Sequence, residues 1–84
     1  MAYKITFKKS VAKDLKKINP SDADKILTKL IAKLSVNADE YPELQGRFAG
    51  LRKYRVGNYR VIYAIIDDSV LVLRIQHRKD VYRK

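Results

Sequence analysis

Residues 51–66, LRKYRVGNYRVIYAII, alternate in character with a period of two on both sides of Gly57-Asn58. That period belongs to a strand whose two faces meet different surroundings. Gly-Asn between two such runs is the sequence of a two-residue hairpin turn. Once the turn is placed, the register is fixed. Val56 must face Tyr59, Arg55 must face Arg60, and Lys53 must face Ile62. One face of the hairpin then carries Tyr54, Val56, Tyr59, Val61, Tyr63 and Ile65. The other carries Leu51, Lys53, Arg55, Arg60, Ile62 and Ala64. The first face is apolar and aromatic and seeks cover; the second is open and basic.

The rest of the chain supplies the cover. Residues 3–7, YKITF, alternate as a short strand, with Tyr3, Ile5 and Phe7 on one side. Residues 10–18 place Val11, Leu15 and Ile18 on one stripe of an amphipathic helix. Asn19-Pro20 ends that helix and begins another, Asn as N-cap and Pro at the first helical position. Asp22 and Asp24 suit the positive end of its dipole. Ala23, Ile26, Leu27, Leu30, Ile31 and Leu34 form its wide apolar stripe. Residues 38–50 contain Pro42, Gly46 and Gly50, have no period, and are expected to be a loop. A last strand over residues 70–77 follows the Asp67-Asp68-Ser69 turn. Continuing the alternation puts Leu71, Leu73 and Ile75 on the core face, and Val70, Val72, Arg74 and Gln76 on the open one. The expectation is an α+β fold, one domain over residues 1–84 in the order β-α-α-β-β-β, an antiparallel sheet with a helical hairpin on one face.

With 84 residues the chain has room for a single core. It has no cysteine and one histidine, so neither a disulfide framework nor a zinc site is expected, and no metal or other cofactor. No apolar run nears the ~20 residues of a membrane span. The opening MAYKITFKKS lacks the apolar centre of a signal peptide, so a cytoplasmic protein without a membrane partner is expected. Nineteen Lys and Arg against nine Asp and Glu give a formal charge of +10. A charge of that size favours a polyanion, nucleic acid first, although a merely soluble basic protein would share it.

The cations are not distributed alike. Nine of twelve lysines precede residue 50, whereas six of seven arginines follow it. Arginines on strands suit bidentate phosphate binding. Lys53, Arg55, Arg60, Arg74 and, by parity, Arg78 are expected on the open face. Arg55 opposite Arg60 is a like-charge pair that costs stability and that a bridging anion would relieve. The face offers no carboxylate pair, no Ser-His-Asp set and no glycine-rich phosphate loop. It can still serve RNA cleavage in which the substrate's 2′-OH is the nucleophile, a lysine takes its proton and arginines stabilise the phosphorane. Ordinary Lys and Arg pKa values, about 10.4 and above 12, match such proton transfers poorly near neutrality. The substrate would have to be held in place by something else.

The hairpin YRVGNYRVIY and the ending HRKDVYR resemble the RelE toxin family of bacterial and archaeal toxin–antitoxin systems, within the RelE/ParE superfamily, over essentially the whole chain. The resemblance implies a metal-independent, ribosome-dependent endoribonuclease, an mRNA interferase that cuts mRNA in the ribosomal A site and inhibits translation. Its products would carry 2′,3′-cyclic phosphate and 5′-OH ends. Position by position, it implies Lys53 as general base or charge stabiliser and Arg60 on the transition-state phosphate. It likewise places Arg78 near the leaving group, Tyr82 against an mRNA base and Arg55 on a phosphate. Leu51 stands where some members carry a second lysine; Arg52 could compensate, but from the other face. His77 points to the core by parity and would enter the site only through a bulge at Gln76. The resemblance also implies a RelB-like antitoxin, with the free toxin a monomer and the complex a hetero-oligomer. Two readings stay open beside it: a ParE-like DNA gyrase inhibitor without nuclease activity, and a non-catalytic nucleic-acid-binding module.

Overall fold

In the computed structural model, which describes residues 2–44, 46 and 50–77, the elements follow the order β1 (Lys4–Phe7), α1 (Lys9–Lys16), α2 (Pro20–Asn37), β2 (Arg52–Val56), β3 (Tyr59–Ile66) and β4 (Ser69–His77). Two punctuation marks in the sequence do what their chemistry requires. Asn19 Oδ1 accepts hydrogen bonds from Ser21 N–H at 3.0 Å and Ser21 Oγ at 2.9 Å, so the N-terminus of α2 is capped and Pro20 sits where no amide is needed. Gly57 has φ +58°, the left-handed conformation required at the first turn position when two residues join β2 to β3.

The hairpin register is the expected one: Val56 pairs with Tyr59, Arg55 with Arg60 and Lys53 with Ile62. The sheet order is β1-β4-β3-β2. Strands β2, β3 and β4 form the antiparallel meander, but β1 pairs parallel with β4, so the sheet is mixed rather than wholly antiparallel. The helical hairpin makes this possible by carrying the chain from β1 at one edge to β2 at the other.

Strand β4 departs from simple alternation. Ile62 pairs with Arg74 but Tyr63 pairs with Val72, so Leu73 is an extra residue opposite the Ile62–Tyr63 step. One inserted residue reverses the parity of everything on one side of it. Val70 and Val72, expected on the open face, are completely buried, and Leu71 is only partly buried, paired with Ala64. Beyond the bulge the expected parity returns, with Ile75 buried opposite Val61.

The core joins Val11 of α1 and Ile26, Leu30 and Leu34 of α2 to Val56, Val61, Tyr63, Val70, Val72 and Ile75 of the sheet. Ile31 and Phe7, which the sequence pattern assigned inward, are 46% and 42% exposed. The stripe of α2 is thus narrower than its composition suggests. Fully buried Tyr63 donates its hydroxyl to Ala38 O at 2.6 Å, and burial pushes its pKa far above the usual tyrosine value. Tyr63→Phe is expected to leave that carbonyl without its donor and to lower stability by about 1–3 kcal/mol, read by thermal unfolding.

Residues 38–44 are less loop-like than their composition suggests. A 3₁₀ turn, Ala38–Glu40, leads into a segment that lies antiparallel along the start of β2. Leu44 N–H donates to Leu51 O at 2.8 Å and Lys53 N–H to Pro42 O at 3.2 Å. Arg52 clamps this segment. Its guanidinium donates to Tyr41 O at 2.6 Å and Asp39 O at 3.3 Å, and meets Glu43 Oε1 at 3.4 Å.

Candidate anion-binding site

Pleat and register place three cations on the face of the sheet turned away from the helices. Arg60 lies on β3 directly opposite Arg55, and Lys53 lies opposite Ile62, making it the diagonal neighbour of Arg60. Direct cross-strand neighbours have Cβ atoms roughly 4.5–5.5 Å apart and diagonal ones stand about 7–8 Å apart. A phosphate group fits between side chains of this reach. Among the described residues, no carboxylate lies within salt-bridge distance of any of the three. Asp67 and Asp68 sit at the opposite end of the sheet, in the β3–β4 turn.

Among the described residues, this face therefore carries positive charge that no carboxylate compensates. Arg55→Thr is expected to stabilise the free protein by roughly 0.2–1 kcal/mol at low ionic strength, by removing like-charge repulsion across the ladder. Added sulfate should shrink that gain, because an anion relieves the same repulsion in the parent protein. Thermal unfolding across a sulfate series measures it.

Arg74 and Arg52, also assigned from sequence, have protein partners. Arg74 shares the rung of Ile62, but its guanidinium grips Asp14 on α1 with two parallel hydrogen bonds, Nε to Oδ2 at 2.9 Å and Nη2 to Oδ1 at 3.0 Å. Arg52 is directed into the 39–43 segment. His77 keeps core-face parity: it pairs with Tyr59 and meets that ring edge-on, with centroids 5.0 Å apart. Arg78 and Tyr82 lie outside the described residues.

Sequence reasoning passed over Asp14. It is buried, 7% exposed, and its Oδ2 also accepts from Ile75 N–H at 2.9 Å. Burial alone would raise its pKa. The hydrogen bonds from Arg74 and Ile75 N–H, with the charges of Arg74 and Lys17, outweigh that and hold the carboxyl below the usual aspartate value. The signal was available, since Asp14 stands three residues after Val11 and so lies on the apolar stripe of α1.

Among the described residues no cluster of His, Asp and Glu could hold a metal ion, and no helix is long and apolar enough to cross a membrane.

Residues 5–82 match the family of ParE toxins of type II toxin–antitoxin systems, parDE. The chain is 32% identical to the toxin RelG of Mycobacterium tuberculosis over 91 aligned positions, covering all of both proteins. It is 33% identical to the toxin RelE3 of Methanocaldococcus jannaschii over 94% of each chain. Its fold is similar to that of a chain in the toxin–antitoxin complex RelBE2 of M. tuberculosis, with TM-score 0.87, 28% identity and 93% of each chain covered. The chain belongs to the ParE toxin family, within the RelE/ParE superfamily, and is a toxin of a type II toxin–antitoxin system.

Proposed function

We propose that the protein is a ribosome-dependent endoribonuclease that cuts mRNA in the A site and thereby stops translation. The observation that carries this reading is the set of Lys53, Arg55 and Arg60 on one open face of the sheet, with no carboxylate in salt-bridge distance among the described residues. Such a set binds a phosphodiester and favours its transition state over its ground state, because negative charge accumulates on the phosphorane. In the reaction the 2′-oxygen forms a bond to the adjacent phosphorus and the bond from phosphorus to the 5′-oxygen breaks. Lys53 receives the 2′-OH proton or stabilises the charge that its loss creates. Arg60, with Arg55 opposite, holds the non-bridging oxygens. Arg78 serves the leaving group, which gains a proton to become a 5′-OH, and Tyr82 orients a base. The other product carries a 2′,3′-cyclic phosphate.

Nothing in this set requires a metal or cofactor. Without a strong base, the site depends on a substrate already bent for in-line attack, and a ribosome-held codon supplies that. Likeness to proteins named RelG and RelE3 supports the same reading. Cleavage of a defined mRNA with and without programmed ribosomes tests it. Ribosome-dependent cuts with cyclic phosphate ends are the expected result, and intact mRNA would overturn it.

The M. tuberculosis RelBE2 relative was solved as a toxin–antitoxin complex, and a +10 chain suits an acidic wrapping partner. The free toxin is accordingly taken as a monomer held inactive by a RelB-like antitoxin in a hetero-oligomer in the cytoplasm. A second reading has one observation in its favour, the naming of the matching family after parDE. In that reading the same fold inhibits DNA gyrase without cutting RNA, and a supercoiling assay with the purified toxin distinguishes the two.

A further inference from the structure

Strand β1 pairs with β4 only as far as Val72, so beyond that point the outer edge of β4 is flanked by α1 instead of a strand. Ser10 Oγ donates to Leu73 O and Asp14 accepts from Ile75 N–H along this edge. Helix α1 ends at Lys16 while β4 continues to His77. The shortfall leaves a notch of about 520 Å³, bordered by Lys17, Ile18, Tyr59, Arg74, Gln76 and His77. That volume is within the roughly 300–1,000 Å³ range of small-ligand sites.

The chemistry of the notch is specific. The rings of Tyr59 and His77 stand at 87° to each other, a floor and a wall. Ile18 adds apolar surface and Lys17 brings a cation to a place that already has aromatic area, while Arg74 keeps its partner Asp14, which also lines the notch. Flat aromatic surface next to positive charge is what a single-stranded nucleotide needs: a platform for the base and a counter-charge for its phosphate. A free inorganic anion would have no use for the corner, and a purely apolar ligand none for the lysine. Gln76 lines the notch and pairs with Arg60, which pairs with Arg55, so the notch lies beside that row across the outer edge of β4, with Tyr59 and His77 on the opposite face. One strand spacing, about 4.8 Å, separates successive members of that row.

We propose that the notch is a base-binding subsite. It stacks a base of an RNA strand that runs from the phosphate held by Lys53, Arg55 and Arg60 round the outer edge of β4, with Lys17 on the phosphate next to that base. This inference rests on the reading of that face as an RNA site. It gives His77 a place in substrate binding outside the phosphate-binding row.

Two short oligonucleotides that cannot be cut, one 2′-O-methylated with its bases and one abasic with the same phosphates, isolate the base. By fluorescence anisotropy the first is expected to bind the free toxin roughly 5- to 150-fold more tightly, the range for one stacked base. That advantage should disappear in His77→Ala, whereas Lys17→Ala should weaken both oligonucleotides alike. Nuclear Overhauser contacts between base protons and the Tyr59 and His77 rings in the unmodified protein provide a reading independent of whether the variants fold. Equal affinity for the two oligonucleotides, an advantage that survives His77→Ala, or base contacts elsewhere on the protein would each overturn the proposal. A toxin that cuts ribosome-bound mRNA but binds both oligonucleotides alike keeps the nuclease reading and loses the subsite. One that shows the base advantage and the ring contacts without cutting keeps the subsite and loses the nuclease reading.

Discussion

Arg60→Ala is expected to slow cleavage of mRNA on programmed ribosomes by about 10²- to 10³-fold, the usual loss when one donor to a developing oxyanion is removed. Arg60 occupies the central part of the site. It lies on β3, which is paired on both sides, with Arg55 on one flank and Gln76 on the other. Its backbone is therefore held by two ladders while its side chain reaches the open face. Arg60→Lys keeps the charge but loses the planar fork that binds two phosphate oxygens together, so activity between the parent and Arg60→Ala is expected. Lys53→Ala should also slow cutting, because its diagonal position lets it act on the same phosphate. The Arg60→Ala variant should be as stable as the parent or slightly more so, since it removes one member of a like-charge pair. Loss of activity with unchanged or raised thermal stability separates a role in the reaction from damage to the fold. Parent-like cleavage by Arg60→Ala would refute the assignment, and gyrase inhibition retained in that variant would favour the second reading.

The hairpin that carries Arg60 was legible for a definite reason. A two-residue turn at Gly57-Asn58 leaves one possible register, and the flanking residues alternate between aromatic and basic, so a shift by one position would have been visible. The same holds at Asn19-Pro20, where capping and the missing amide act locally. Strand β4 was misread in its first half because Val70, Leu71, Val72 and Leu73 are all apolar. An unbroken apolar run carries no parity, and a bulge within it leaves no trace in composition. What pins the strand near the bulge comes from far away in sequence: Ser10 on Leu73 and Asp14 on Ile75. The misplacement of Arg74 has the same origin. Its parity was right, yet a guanidinium on a long stem can turn across the strand edge to a carboxylate some sixty positions earlier, at Asp14. The clamp formed by Arg52 was foreseen only as a side chain on the face away from the site. The Tyr59–His77 corner was half foreseen, since parity placed both rings on the core face, but their contact follows from the β3–β4 register, which shifts at the Ile62–Tyr63 step.

Asp14 carries the largest expected effect on stability. Among the described residues it is the buried charged side chain, and it closes the edge of β4 where no strand does. In Asp14→Ala, Ile75 N–H loses its acceptor in a buried position, which costs about 1–3 kcal/mol. The bond to Arg74 adds less than a fully buried ion pair would, because the arginine side chain is 49% exposed and water can replace its partner. A total loss of about 2–4 kcal/mol follows, a fall in Tm of roughly 10–25 °C for a domain of this size. The pH dependence has a definite sign. The folded-state pKa of Asp14 lies below its unfolded value, so the carboxylate's contribution is present in full above the ordinary aspartate value near 3.9 and is lost as pH falls through the lower folded one. Thermal melts from neutral pH down through that window should show the parent losing stability that Asp14→Asn, with no proton to take up there, does not lose. Arg74→Ala should shrink the acid loss, because removing the main lowering influence lets burial push the carboxyl back up. Identical acid limbs for the parent and Asp14→Asn would show that the carboxylate does not hold α1 to β4, and the notch at the end of that helix would lose its supporting wall.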